Sequence, residues 1–253
     1  MDIHHIDVPV RIKGTLILDE PSVVYTLVGD TQIHHDAVVT IGPNVTIVGN
    51  GFKLISYGKL TIHNTKLTNV HLAAGVHGDV TLVSVDIDGG SLFSVNNGNY
   101  CNAMSISNCH IRNVRGIRVT HTSDVMKDTV IQKNIFENCG RIEVYAHNRH
   151  VVISNNVFLH GQSDCAVYGG INTGNSKTII ERNSFYDAGI AIIANTDYVN
   201  ITAPHNYWHN TSPEDVPSKL VDGRVDFSLT KEIEYLPMLD APDADTPSFL
   251  NQP

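Results

Sequence analysis

The chain has 253 residues, of which 42% are hydrophobic and 17% charged. That is apolar enough for a packed core and too poor in charge for a coiled coil or a long solvated helix. The formal net charge of -9, from 17 Lys and Arg against 26 Asp and Glu, argues against non-specific nucleic-acid binding, which needs a cationic footprint. The same sign weighs against an acidic polysaccharide unless a local basic patch overrides it. No apolar run reaches the ~18 residues of a membrane-spanning helix, so no span is predicted. Residues 1–9 lack a basic stretch followed by an apolar one, so no signal peptide is read there.

In chain order, the first sixty residues alternate apolar and polar positions around Gly and Pro-Asn turns. Val38, Thr40, Val45 and Ile47 read as strand residues on either side of Gly42-Pro43-Asn44, and Ile55, Leu60 and Ile62 continue the pattern around Gly58. This start is expected to include a cap over the first open strand edge.

A repeat follows. The segments LTIHNTKL (60–67), VTLVSVDI (80–87), MSISNCHI (104–111), TVIQKNIF (129–136), VVISNNVF (151–158) and TIIERNSF (178–185) fall into register. Their last residues, Leu67, Ile87, Ile111, Phe136, Phe158 and Phe185, are 20, 24, 25, 22 and 27 residues apart, and a looser copy ends on Trp208, 23 further on. Each unit carries the two-residue period of a strand. The step suits one turn of a three-sided coil and is too irregular for a strict hexapeptide left-handed helix. The fold class expected is all-β: a single-stranded right-handed parallel β-helix, a solenoid of about 8–10 rungs with N- and C-terminal caps.

Within each unit a second strand follows: GIRVTH (116–121), RIEVYA (141–146), CAVYGG (165–170) and GIAIIA (189–194). Alternation sends Ile117, Val119, Ile142, Val144, Cys165, Val167, Ile190 and Ile192 inward, and Arg118, Glu143, Tyr145, Tyr168 and Ile193 outward. Cys109, Asn134, Asn156 and Asn183 share one position, joined by Asn206. Stacked amides at a bend can hydrogen-bond along their own column and satisfy turn carbonyls, so this column is read as structural.

After Trp208 the repeat stops in a segment rich in Pro, Asp and Ser. The domain reading is therefore coil with N-terminal cap over 1–208, C-terminal cap over 209–240 and a loose extension over 241–253. Arg224 to Phe227 is a short strand candidate, and Val216, Leu220, Val221, Phe227, Leu229, Leu236 and Leu239 are expected to cover the last rung. Trp208 and Tyr207, beside that cap, are read as packing residues.

The runs Tyr25-Thr-Leu-Val-Gly-Asp, Ala37-Val-Val-Thr-Ile-Gly-Pro-Asn-Val-Thr-Ile and Gly58-Lys-Leu-Thr, with Asn206-Tyr-Trp and Val225-Asp-Phe-Ser near the end, resemble the right-handed parallel β-helix superfamily. Within it the likeness is to the pectate-lyase-like and periplasmic copper-site-assembly-like branch. Asn44 stands where that group usually has Gly, His209 follows Trp208 in place of Gly, and Leu229 follows Ser228 in place of Pro. The resemblance implies the fold over nearly the whole chain. It implies no single activity, since such coils include lyases, glycoside hydrolases, uronate epimerases, tailspikes and adhesins. The Asp-Pro-His-Glu epimerase signature, an Arg-x-Pro-x-x-Arg lyase segment and a paired-Asp galacturonase motif are all missing.

The outward column of the second strand is the expected place for a linear polymer. Substrate-binding candidates are Arg118, His121, Tyr145, Tyr168 and Arg141, because tyrosines stack on sugar rings and Arg pairs with a uronate carboxylate. Catalytic candidates are Glu143 with Asp164 or Asp187 for a two-carboxylate hydrolase, or Tyr145 or His147 with Arg118 for proton abstraction beside a carboxylate. Against these, Arg118 and Glu143 one rung apart suit a cross-strand ion pair, Tyr145 and Tyr168 an outer aromatic column, and His121 and His147 solvent-facing turns. The residues 88–103 and 159–177 are the longest candidate groove walls. His34-His35-Asp36 and His4-His5-x-Asp7 lack further ligands at the spacing of a structural zinc site, so no metal is expected there; a surface Ca²⁺ held by aspartates stays open through the resemblance alone. Cys109 and Cys165 read as buried small hydrophobes, and none of Cys101, Cys109, Cys139 and Cys165 as a nucleophile.

Two functions remain. One is an extracellular, cell-surface or virion-associated module that binds a polysaccharide or surface glycan, or serves a structural and adhesive role, as monomer or trimer. The other is an enzyme acting on a polysaccharide. The missing signatures and short loops favour the first.

Overall fold

The computed structural model describes residues 4–75, 77–94, 104–121, 127–162, 166–186, 189–198 and 200–248. Its strands are short because each turn of chain changes direction three times. One face of the coil is a parallel sheet of nine strands, running from Thr15–Leu18 through Lys59–His63 and Thr129–Gln132 to Ile201–Thr202. The second and third faces meet at a shallow bend. Lys66–Ala74 and Asp86–Ser94 pass through it as unbroken strands, so the two faces read as one ladder of 18 strands. Pairing is parallel throughout and the coil is right-handed, as the sequence predicts. No helix among the described residues is long and apolar enough to cross a membrane.

The repeat register is the strand register. On the second face Leu67 pairs with Ile87, Ile87 with Ile111, Ile111 with Phe136, Phe136 with Phe158, Phe158 with Phe185, and Phe185 with Trp208. The aromatic part of this column is a stack: Phe136–Phe158 and Phe158–Phe185 lie 5.0 Å apart and Phe185–Trp208 4.8 Å, with planes 7 to 19° from parallel. Isolated aromatic pairs favour edge-on or offset contacts; here strand spacing of about 4.8 Å sets the geometry. All four rings are buried, which confirms packing for Trp208.

The corner between the first and second faces is built by two residues. The first takes the left-handed conformation, at Asn64, Ser84, Asn108, Lys133, Asn155, Arg182 and His205, with φ between 47 and 57°. The second is the ladder residue, fully buried at Asn134, Asn156, Asn183 and Asn206. Each side-chain oxygen accepts the backbone N–H of the preceding rung: Cys109 to Asn134 at 2.9 Å, Asn134 to Asn156 at 3.0 Å, Asn156 to Asn183 and Asn183 to Asn206 at 2.9 Å. Each amide nitrogen donates to the carbonyl of Ile106, Ile131, Ile153 or Ile180 at 2.7 to 3.0 Å. Amide-to-amide bonds of 3.0 Å run along the column. Towards the N-terminus the same corner holds Cys109, Val85, Thr65 and Val45, all buried and none an amide.

The third face departs from the predicted alignment. Ile142 pairs with Val167, and Val167 with Ile192, so an alignment of the second strands on their first inward residues, Ile142, Cys165 and Ile190, is two residues out. Ile190 is half-buried and precedes the strand Ile192–Ala194; Cys165 lies outside the described residues. A bulge then adds a further residue: pairing jumps from Val144–Gly169 to Tyr145–Ile171. A side chain on the skipped Gly170 would sit 2.3 Å from the Tyr145 ring, so this glycine makes room for it.

At the C-terminal end Leu220–Val221 adds to the third face beside Ile192 and Ile193. Arg224–Phe227 is a turn rather than a strand, its N–H groups of Val225 and Asp226 donating to the carbonyl of Asp222. Of the residues expected to cover the last rung Val216 and Leu220 are buried, joined by Ile233, while Phe227 is 91% and Leu236 58% exposed. The reason is Asp222, fully buried, whose carboxylate pairs with Arg224 and accepts the N–H of Ile233 at 2.7 Å. Arg224 also donates to the carbonyl of Ile233 at 2.9 Å. Residues 241–248, expected to extend loosely, bond to the coil: Asn155 donates to Asp243 at 3.0 Å and Thr246 to the carbonyl of Arg182 at 2.9 Å.

Replacing Asn156 by Ala takes away the acceptor of the Asn134 N–H, one of the two acceptors of the Asn134 amide and the amide donor to the Ile131 carbonyl. The expected cost is about 3 kcal/mol, read as a lower urea midpoint. Asp222→Ala removes the acceptor of the Ile233 N–H and the main carboxylate partner of Arg224, which keeps Glu232 and the Ile233 carbonyl, and is expected to cost about 1–3 kcal/mol in the same assay.

Candidate functional site

Strand alternation on the third face carries the predicted outer column. Arg118 pairs with Glu143 and Glu143 with Tyr168 across adjacent rungs, and Thr120 with Tyr145. Glu143 sits between two guanidiniums: Arg118 Nε donates to one carboxylate oxygen at 2.7 Å, and Arg141 Nε to the other at 3.0 Å. Burial works against the charge on Glu143, but the hydrogen bonds from Arg118 and Arg141 outweigh it and hold the carboxyl below its ordinary range. A carboxylate so held is ionised and occupied, which does not suit a general acid. Arg141 lies over the Tyr168 ring with its guanidinium carbon 4.2 Å from the centroid. Arg118, Glu143, Arg141 and Tyr168 thus form one connected surface cluster.

The remaining candidates separate from it. Tyr145 is not opposite Tyr168 but opposite Ile171, its ring against Gly170, so the expected aromatic column does not form. His147 hydrogen-bonds through Nδ1 to the hydroxyl of Thr173. His121 is not solvent-facing: only 5% of it is exposed, and Nε2 lies 2.8 Å from the Thr129 hydroxyl. Burial pushes its pKa down to about 4, so it is neutral and structural at ordinary pH. Asp164 and Asp187, the partners required for a two-carboxylate mechanism, lie outside the described residues. So do 95–103 and 163–165 of the two candidate walls; the flanking 86–94 and 167–173 are strand.

Cys109 and Cys139 are buried free thiols, each pushed up to about 11 by burial, which agrees with their reading as inert. Tyr186 belongs to another cluster, on the second face, where its ring lies 4.7 Å from His209 and 5.9 Å from Tyr207.

Sequence reasoning missed a second feature, a cavity of about 490 Å³ at the N-terminal end, where the third face turns into the first. Arg11 and Lys13 come from one rung, Gln32, His34 and His35 from the next, then Tyr57, then His77. These residues are brought together only by stacking. His34 Nδ1 lies 2.6 Å from Asp36 Oδ1, and this hydrogen bond holds the Asp36 carboxyl below its ordinary range.

No family model, characterised protein or solved structure matches this chain. The β-helix assignment therefore rests on strand register, and the pectate-lyase-like likeness reaches no further than architecture.

The burial of His121 makes stability depend on pH. An unfolded histidine takes up its proton near pH 6.5; the folded one does so only near about 4. Between these values the unfolded chain binds more protons, so stability is complete above about pH 6.5 and falls as pH drops towards 4, by about 3 kcal/mol at most. Urea unfolding at pH 7.5 and 4.5 is expected to lose less stability in His121→Leu than in the parent; equal losses count against the buried neutral ring.

Proposed function

We propose that this chain is a β-helix module that binds carbohydrate on its third face without cleaving it. The observation that carries the reading is the double clamp on Glu143. The one described carboxylate of the candidate catalytic set is committed to Arg118 and Arg141, while the same contacts fix two guanidiniums beside a tyrosine ring. Among the described residues of the cluster two guanidiniums stand against one carboxylate, on a chain of net charge -9. That local sign suits sugars bearing carboxylate, with the tyrosine offering an apolar surface to a sugar ring. The Arg118 side chain is 59% exposed, so solvent and a ligand can reach it beside the partners it already has.

Retardation of the protein in gels cast with neutral or acidic polysaccharides tests this directly. Tyr168→Ala and Arg118→Ala are expected to weaken retention by roughly tenfold each, in line with about 1 kcal/mol or more for a stacked or charge-assisted contact. Polymer length, followed by size exclusion, is expected to stay constant. Shortened chains would establish the enzyme in place of the binding module, and retention untouched by both substitutions removes the third face from consideration.

A further inference from the structure

The turn that joins the third face to the first in the second rung carries His34, His35 and Asp36. One ligand atom from each lies within 4.8 Å of the others. The turn is fixed from both sides. His34 N–H and Val38 N–H bond to the carbonyls of Ile12 and Gly14 in the rung before, and the carbonyls of Ile33 and Ala37 accept from Tyr57 and Lys59 in the rung after. Beneath it a Cβ on Gly58 would lie 2.3 Å from the His34 oxygen and 2.4 Å from the Ala37 oxygen, so only glycine permits this stacking. The three side chains therefore project from a rigid backbone, which preorganises a ligand set.

We propose that His34, His35 and Asp36 form a binding site for a divalent transition metal, with zinc the natural occupant, whose open coordination positions face the adjoining cavity. The separations fit. Zinc bonds of about 2.0–2.1 Å to nitrogen and oxygen place tetrahedral donors about 3.3 Å apart. His34 Nδ1 and His35 Nδ1 lie 2.6 and 3.9 Å from Asp36 Oδ1, on either side of that value. Small side-chain rotations bring both to it, with the metal replacing the shared proton. Two imidazoles and one carboxylate select zinc, nickel or copper over calcium, which takes oxygen ligands. Three protein ligands leave coordination open, as in zinc sites that exchange a ligand. His77, two rungs or about 10 Å along the coil, lines the same cavity from too far along to be a fourth ligand, but in reach of a molecule held by the metal. This site is independent of the glycan-binding face.

The test is calorimetric titration of the chelator-washed full chain with zinc chloride, with cobalt absorption as a second readout. One zinc per chain is expected, no measurable response to calcium, and about tenfold or greater weakening in each of His34→Ala, His35→Ala and Asp36→Asn. The asparagine retains a hydrogen-bond partner for His34 while losing the charged donor. All three residues are exposed, so urea midpoints are expected to match the parent; a variant that unfolds is replaced by the glutamine substitution at either histidine. His4→Ala with His5→Ala serves as the control for incidental histidine binding. Zinc affinity that is absent in the parent, survives the three substitutions or disappears with the control pair overturns the site.

Discussion

The distance between stacked strands, about 4.8 Å, governs this molecule. Each rung has an inner surface too small to bury alone, so stability comes from repeating the same side-chain contact at that interval. The second-face column shows what this requires. Branched aliphatic side chains tolerate the spacing in many rotamers, and flat rings match it only by stacking, as from Phe136 to Trp208. Polar side chains can occupy the interior only if their hydrogen bonds repeat at the same interval. A carboxamide meets that condition because it can accept from one rung and donate within the column at once.

Those constraints explain what the sequence made legible. The asparagine column and the terminal apolar column could be read because each rung needs the same residue type at the same place, so chemistry marks register. The third face lacked such a marker. Its inward positions hold interchangeable small aliphatics, and the bulge at Val144 and Tyr145 adds a residue to one rung, which moves the inward positions from Val167 and Gly169 to Asn172. His121 was misjudged although the alternation that buries Ile117 and Val119 carries on to it: it lies one residue past the strand Ile117–Thr120 and was taken for a turn residue. The cap around Asp222 was hidden for a different reason: one buried ion pair, made by residues two positions apart, outweighs the apolar pattern that favoured Phe227.

The candidate site divides in the same way. Cross-strand neighbours such as Arg118 and Glu143 follow from register, so their pairing could be foreseen. The arginine from the edge of the same strand, which turns that pair into a clamp and reaches Tyr168, could be placed near them but not oriented. The N-terminal cavity was invisible because its lining comes from four successive rungs, with His34 and His77 separated by 43 positions (77 less 34). On a solenoid, residues one turn apart become neighbours, and a short motif scan does not join them.

The asparagine ladder also bears on how such a chain can change length. Every amide from Asn134 to Asn206 accepts from the rung before it, and Asn134, Asn156 and Asn183 offer their own N–H and amide to the next, with Asn206 the last acceptor. A duplicated turn bearing the same amide could enter this stretch by taking over one existing bond and supplying another, leaving no orphaned group at the corner. At Cys109 the chemistry changes, because the thiol bonds to its own rung and the earlier corner residues carry no amide. Growth or loss of whole turns is therefore a far smaller perturbation C-terminal to Cys109 than across it, and that boundary marks where a coil of this kind can be lengthened by copying itself.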